Sequence, residues 1–254
     1  MLTKLRAVSA LALLCCLSLP APAQTLKVLT AGAFKQVVLA FVPAFEAKTG
    51  MKVQVESDTA GALVRRVQSN EAFDVLFLPP GGMDILSRDG KVDAATTQVI
   101  AKVAIGIAVK TGAAHPSLDT VEQFKDAVRN ARKVAYIDPA SGGSSGIYLD
   151  GLFRRLGIAD EVGAKAILVA GGLVADRVAS GEADLAIHQV SEILPVKGVE
   201  LAGLLPDSIQ NYTAYAGAVS SATLVKQEAR RFLEALTAPD AAGTVQSKGM
   251  VPSR

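Results

Sequence analysis

Residues 137–148 have the sequence Ile-Asp-Pro-Ala-Ser-Gly-Gly-Ser-Ser-Gly-Ile-Tyr, which predicts the end of a strand, a Gly/Ser turn and a helix start. The first backbone N–H groups of a helix lack partners within the helix and carry a partial positive charge. Glycine lets a ligand approach this backbone closely, and the serine hydroxyls add hydrogen-bond donors beside it. The turn is therefore suited to holding an anion. An ordinary helix start capped by a serine explains the same residues equally well.

The rest of the chain alternates short apolar runs with longer amphipathic stretches in the same strand-then-helix order. The predicted strands cover 26–30, 52–56, 73–78, 103–109, 133–137, 184–188 and 213–219. The predicted helices cover 33–48, 60–70, 83–89, 121–130, 143–156, 173–180 and 225–236. This alternation indicates an α/β fold with parallel sheets that have helices on both faces. In such sheets, ligands bind beyond the carboxyl ends of the strands.

The N-terminal segment has the three regions of a secretory signal peptide. Lys4 and Arg6 precede an apolar run, 7–19, and Ala-Pro-Ala at 21–23 forms a cleavage site. The apolar run is shorter than the about 20 residues that a membrane-spanning helix needs. We therefore predict cleavage after residue 23, a periplasmic mature protein and no membrane insertion afterwards. Both cysteines of the chain fall within the predicted leader, so the mature protein contains no disulfide.

The charge and composition of the mature chain exclude several classes of function. The 26 basic residues exceed the 24 acidic ones by two, and Lys4 and Arg6 of the leader account for this excess. A nucleic-acid-binding protein needs a basic face, so we expect no nucleic-acid partner. The two histidines, His115 and His188, are too few for a zinc site in a chain without mature cysteines. We predict neither a metal nor a cofactor.

Six motifs, spread over nearly all of the mature chain, together resemble the molybdate-type periplasmic solute-binding proteins of ABC transporters. In order, these motifs cover 28–33, 45–50, 60–67, 73–77, 138–148 and 178–184. The resemblance implies two doubly wound α/β lobes joined by two crossing strands. Residues 24–104 plus 218–254 would form the first lobe and 105–217 the second. The resemblance also implies a monomer that holds a small anion in the interlobe cleft and delivers it to an ABC permease.

The same resemblance places the ligand contacts at strand ends and helix starts. The implied ligand-binding residues are Ala33, Phe34, Lys35, Thr59, Ala60, Gly61, Gly143, Ser144, Ser145, Gly171, Gly172, His188 and Gln189. The molybdate binders have serines where this chain has Ala33 and Ala60, and a tyrosine where it has Gln189. Without two hydroxyl donors, oxygens of molybdate would stay unpaired at a cost of about 1–3 kcal/mol each. We therefore predict an organic carboxylate as the ligand rather than molybdate.

A short motif, Ile-His-Gln-Val-Ser-Glu at 187–192, is similar to a branch of this family that includes aconitate isomerase. The similarity implies an alternative function, a cofactor-free allylic proton shift between trans- and cis-aconitate. His188 and Lys35 are the catalytic residues under this hypothesis, since each can exchange a proton beside the cleft. A structural histidine and a solvated lysine are the competing interpretations. Because side chains alternate along a strand, only one of His188 and Gln189 need face the ligand.

Overall fold

Two mixed β-sheets with helices packed on them form the fold of this protein, in a computed structural model that describes residues 25–253. The predicted signal peptide, 1–23, lies outside the described residues. Within the described range, no helix combines the length and the apolar character needed to cross a membrane.

Strands and helices largely alternate along the chain. The strands are β1 (Thr25–Ala31), β2 (Lys52–Asp58), β3 (Val75–Leu78), β4 (Gln98–Val103), β5 (Ile105–Lys110), β6 (Val134–Ile137), β7 (Ala166–Val169), β8 (Leu185–Gln189), β9 (Val199–Leu204), β10 (Thr213–Val219) and β11 (Val251–Pro252). The α-helices are α1 (Gly32–Thr49), α2 (Ala60–Gln68), α3 (Pro80–Arg88), α4 (Val121–Asn130), α5 (Ser144–Arg155), α6 (Ala159–Gly163), α7 (Asp176–Ala179), α8 (Val190–Ile193), α9 (Lys226–Thr237) and α10 (Ala242–Ser247). This order confirms the predicted α/β class.

The first lobe is built on a six-stranded sheet with the order β11-β4-β10-β3-β1-β2. Strands β1, β2 and β3 run parallel, whereas β10 pairs antiparallel with both β3 and β4. Apolar side chains from this sheet and from α1 and α9 pack into one core, in which the rings of Phe34 and Phe77 lie 4.9 Å apart. Burial of such large aromatic side chains contributes much of the stability of residues 25–253, which contain no cysteine.

The second lobe is built on a five-stranded sheet with the order β7-β6-β8-β5-β9. Strands β6, β7 and β8 are parallel, and β5 is antiparallel to both β8 and β9. Separate apolar clusters cover the two faces of this sheet, so its central strands are buried on both faces. Both sheets contain the predicted parallel strands, but they are mixed, because the strands near the lobe crossings run antiparallel to their neighbours.

The chain passes between the lobes twice, which confirms the predicted two-lobed architecture. The first passage is at Ala104, where the single strand predicted over 103–109 is divided between β4 and β5 in different sheets. The second passage is the segment 205–212, which joins β9 to β10. Because β10 pairs with the first sheet from Thr213 onward, the return to the first lobe lies before residue 218, the predicted boundary.

Candidate functional site

A cavity of about 360 Å³ lies between the lobes, where β1, β2, β6 and β8 end. Three helices, α1, α2 and α5, also begin at this cavity. The side chain of Thr59 caps α2 by accepting a hydrogen bond from Ala62 N, whereas α1 and α5 have no side-chain cap. The first-turn N–H groups of α1 and α5 are therefore suited to an anion in the cavity. Lys35, in the first turn of α1, adds a full positive charge to the cavity wall.

A buried acid and a buried imidazole share one side of this cavity. Glu192 in α8 lies with its Oε2 3.2 Å from Nε2 of His188, the penultimate residue of β8. Burial raises the pKa of the Glu192 carboxyl well above its usual range, an effect that the charge of Lys35 partly opposes. Burial also lowers the pKa of His188. Burial therefore disfavours the charged form of each group.

The start of α1 leaves room for this carboxyl group because residue 32 is glycine. A Cβ atom at Gly32 would lie closer to Glu192 Oε1 than the 3.0 Å below which real Cβ contacts essentially never fall. On the other side of the pair, His188 Nδ1 is buried and has no hydrogen-bond partner among residues 25–253. The carboxyl group therefore lies between the backbone of α1 and the imidazole of His188, whose Nδ1 is not hydrogen-bonded to any described residue.

A network of neutral groups from both lobes forms another part of the cavity wall. Tyr215, from β10 of the first lobe, donates its hydroxyl proton to Gln189 Oε1 at 3.1 Å. The amide of Gln189 in turn donates from Nε2 to Ser144 Oγ at 3.2 Å. Burial raises the pKa of the Tyr215 hydroxyl, so this group remains a proton donor. The ring of Tyr215 stacks on that of Phe34, with 6.0 Å between centroids.

The lobes also touch through backbone atoms at the edge of the cavity. Gly61 N donates to Gly142 O at 3.0 Å, and Thr59 Oγ1 donates to Ser141 O at 2.6 Å. A Cβ atom at Gly61 or at Gly142 would collide with the backbone of the other residue. Gly142 also has φ +82°, a conformation that side chains other than glycine rarely adopt. We call this pairing of Gly61 and Gly142 the glycine contact.

Comparison with known proteins identifies the family. The sequence profile of a family described as bacterial extracellular solute-binding protein matches residues 26–251. The chain belongs to this family. Membership of an extracellular solute-binding family implies a periplasmic location.

Three known proteins are similar to this chain in sequence or in structure. An aconitate isomerase from a Pseudomonas species is 34% identical over 237 residues, covering 91% of this chain and 89% of that protein. The periplasmic molybdate-binding protein of Azotobacter vinelandii has a TM-score of 0.75 at 20% identity, covering 90% of this chain and 100% of that one. A sulfate-binding protein from Mycobacterium tuberculosis has a TM-score of 0.74 at 16% identity, covering 90% and 87%. The two structural likenesses show the shared fold.

Most of the residues proposed from the sequence as ligand contacts line the cavity of this solute-binding protein. The lining includes Ala33, Lys35, Thr59, Ala60, Gly143, Ser144, Ser145, Gly171, Gly172, His188 and Gln189. Phe34 and Gly61 lie elsewhere. The side chain of Phe34 is fully buried in the first-lobe core, because it follows Ala33 on the inner face of α1. Gly61 makes the glycine contact instead of lining the cavity.

His188 and Gln189 both line the cavity, although they are neighbours on one strand. Strand β8 ends at Gln189, and the chain turns there into α8, which redirects the Gln189 side chain. The sequence reasoning did not include Glu192 and Tyr215 among the site residues. The position of Glu192 within the motif at 187–192 was the one available signal for it, and Tyr215 had none.

Some residues of the Gly/Ser turn at 137–148 line the ligand cavity, and others pack against the protein. Gly143, Ser144 and Ser145 line the cavity. Gly146 instead packs against the carbonyl group of Ile137, where a Cβ atom would not fit. Asp138 accepts a hydrogen bond from Ala140 N at 2.9 Å and so stabilises the turn rather than facing an anion.

Proposed function

We propose that this protein isomerises an unsaturated tricarboxylic acid, interconverting trans- and cis-aconitate without a cofactor. The observation that carries the proposal is the buried pair of Glu192 and His188 in the cavity wall. A carboxyl group is a poor choice for a site that only binds anions, because its ionised form repels the ligand. The same group suits a proton shift, because an uncharged acid beside an uncharged imidazole can accept and return a proton. The likeness to an aconitate isomerase supports this reaction.

In the proposed step, Glu192 Oε1 takes a proton from the CH₂ carbon of the substrate, while Oε2 passes its own proton to His188 Nε2. The electron pair of the broken C–H bond spreads over the allylic system and a carboxylate, which gives a dienolate. The positive charge on His188 balances the additional negative charge of this dienolate. Oε1 then returns the proton to the former vinylic carbon, and Oε2 recovers its proton from the imidazole. The double bond has moved, and no atom or electron has been gained or lost.

The lining of the cavity supports a polycarboxylate as the substrate. The N-termini of α1 and α5, the charge of Lys35 and the hydroxyls of Ser144 and Ser145 offer several separate positions for carboxylate oxygens. The cavity volume of about 360 Å³ falls in the range of small-molecule sites and is roughly ten times the volume of one water molecule in the liquid. This space suits an organic acid of several carbons better than a single tetrahedral oxyanion.

Proton NMR of trans-aconitate incubated with the purified protein tests the proposal. We expect signals of cis-aconitate to grow until the two isomers reach equilibrium. Glu192→Gln keeps the size of the side chain but removes its acid–base chemistry, and should slow the reaction by about 10²- to 10⁴-fold. Glu234→Gln, an exposed position on α9, is the matched control and should react at the wild-type rate. Absence of cis-aconitate would overturn the proposed reaction, and a fully active Glu192→Gln variant would overturn the role of the pair.

Delivery of an organic carboxylate to an ABC permease is the second candidate function. It is supported by the two-lobed fold that this chain shares with molybdate- and sulfate-binding proteins. This function predicts that trans-aconitate or another polycarboxylate raises the melting temperature of the protein by binding the folded state. The NMR spectrum of the added acid should show no conversion to a second isomer. A rise in melting temperature with molybdate instead would contradict the preference for carboxylates in both candidate functions.

A further inference from the structure

In the network of Tyr215, Gln189 and Ser144, the chemistry of the Gln189 amide determines which group donates and which accepts each hydrogen bond. An amide oxygen only accepts, so the Tyr215 hydroxyl donates to Gln189 Oε1. The amide nitrogen only donates, so Gln189 gives a proton to Ser144 Oγ. Ser144 therefore enters the network as an acceptor, and its own proton is not used by Gln189. The other polar neighbour of Ser144 Oγ in the network is the Tyr215 oxygen, at a long 3.4 Å.

The position of Ser144 makes its unused proton relevant to the ligand. Ser144 is the first residue of α5 and is partly exposed where it lines the cavity, whereas Tyr215 and Gln189 line the same cavity but are almost completely buried. Because Gln189 is a donor to Ser144, the Ser144 hydroxyl proton has two possible acceptors, the Tyr215 oxygen at the long distance of 3.4 Å or a ligand atom in the cavity beside the N–H groups at the start of α5. A carboxylate oxygen seated there receives hydrogen bonds from both sources.

We propose that Tyr215 is a positioning residue which, through Gln189, turns the Ser144 hydroxyl proton toward a carboxylate of the bound ligand. The inference rests on the proposed function for the class of ligand. Tyr215 belongs to the first lobe, and Gln189 and Ser144 belong to the second. The hydrogen bond from Tyr215 to Gln189 therefore forms only when the lobes are together. It fixes the amide of Gln189 with its nitrogen toward Ser144 in the closed state, whereas in an open state the amide can turn over and Ser144 is no longer held as a donor to the ligand. Ligand recognition and lobe closure are coupled at this point.

Binding of propane-1,2,3-tricarboxylate tests this inference without depending on turnover, because this saturated acid has no double bond to move. Tyr215→Phe removes the hydroxyl but keeps the ring that stacks on Phe34. We expect its affinity, measured by calorimetry, to fall about 3- to 10-fold, the effect of one neutral hydrogen bond. Tyr212→Phe is the matched control, since Tyr212 is about half exposed, and it should bind like the wild type.

A double-mutant cycle separates positioning from a merely structural role. In a Ser144→Ala background, Tyr215→Phe should cause no further loss of affinity, because the proton that it orients is gone. Equal losses in both backgrounds, or an unchanged affinity of Tyr215→Phe, would overturn the inference while leaving the proposed function standing. If the wild type does not bind the tricarboxylate at all, the proposed ligand class falls, and the inference falls with it. Melting temperatures of the unliganded variants verify that each is folded.

Discussion

Replacing Gly32 with alanine should damage the proposed reaction far more than the fold. The backbone of Gly32 has an ordinary helical conformation, so alanine fits the main chain, but its methyl group would overlap Glu192 Oε1. Overpacking of this kind costs about 1–3 kcal/mol of folding free energy, and alanine within a helix gains back roughly 0.5–1 kcal/mol. The expected net loss is therefore at most about 2.5 kcal/mol, or a fall in melting temperature of up to about 10 °C. Moving the carboxyl by about 1 Å should slow isomerisation by about 10²-fold.

Gly81→Ala provides the matched control for this substitution. Gly81 also lies in the first turn of a helix, α3, and a Cβ atom there would meet no atom within 4 Å. Its folding free energy should change by less than about 0.5 kcal/mol, and its isomerisation rate should equal that of the wild type. The assays are thermal unfolding and the NMR rate with trans-aconitate. A Gly32→Ala variant that reacts at the wild-type rate would refute the reasoning, because the position of Glu192 would then not matter.

Three further predictions concern pH, ion pairs and processing. The ratio kcat/KM should fall as pH rises through about 8, because burial raises the pKa of Glu192 to about 8 and the ionised carboxylate repels the substrate. A pH–rate profile in which kcat/KM does not fall above this pH would contradict the prediction. The folded state favours the protonated acid, so stability should fall as pH rises from about 4.5 to about 8 and level off above it. Arg66→Met should lower the free energy of unfolding by roughly 1 kcal/mol at pH 7, since Arg66 bridges Glu56 and Glu71 in partly exposed ion pairs. Because the hydrogen bond from Arg66 lowers the pKa of Glu71 to about 2, urea unfolding should show this loss vanishing as pH falls from about 4.5 to 2. N-terminal sequencing of periplasmic protein should begin at Gln24, and a chain that retains Met1 would contradict the signal peptide.

Local features were predictable where a sequence pattern determines the backbone directly. Helix α4 covers Val121–Asn130 as predicted, because Thr120 and Gln123 form a capping box before an amphipathic run. The division of 103–109 at Ala104 was not predictable in the same way. Buried strands are apolar on both faces, so neither periodicity nor composition marks the residue at which the chain changes sheets.

The parts of the site that depend on contacts between distant elements escaped the sequence analysis. Glu192 is buried because the start of α1 packs against it at Gly32, and a glutamate in a short helix is ordinarily solvated. The strand that carries Tyr215 was predicted, but its hydroxyl reaches groups of the other lobe. No local pattern encodes how two lobes approach each other, so such a contact has to be observed in the structure.

The glycine contact consists of main-chain atoms, and this has a consequence for how such a protein can be altered. This part of the contact between the lobes does not depend on the identity of the side chains inside the cavity. Substitutions at Lys35 or Glu192 can therefore change the chemistry of the site while the glycine contact stays in place. Conversely, a methyl group at Gly61 or Gly142 would clash with the backbone of the other residue and push the lobes apart. Substitutions at these two positions should therefore hold the lobes in an open form. They also allow ligand binding to be followed as a change between the open and closed forms.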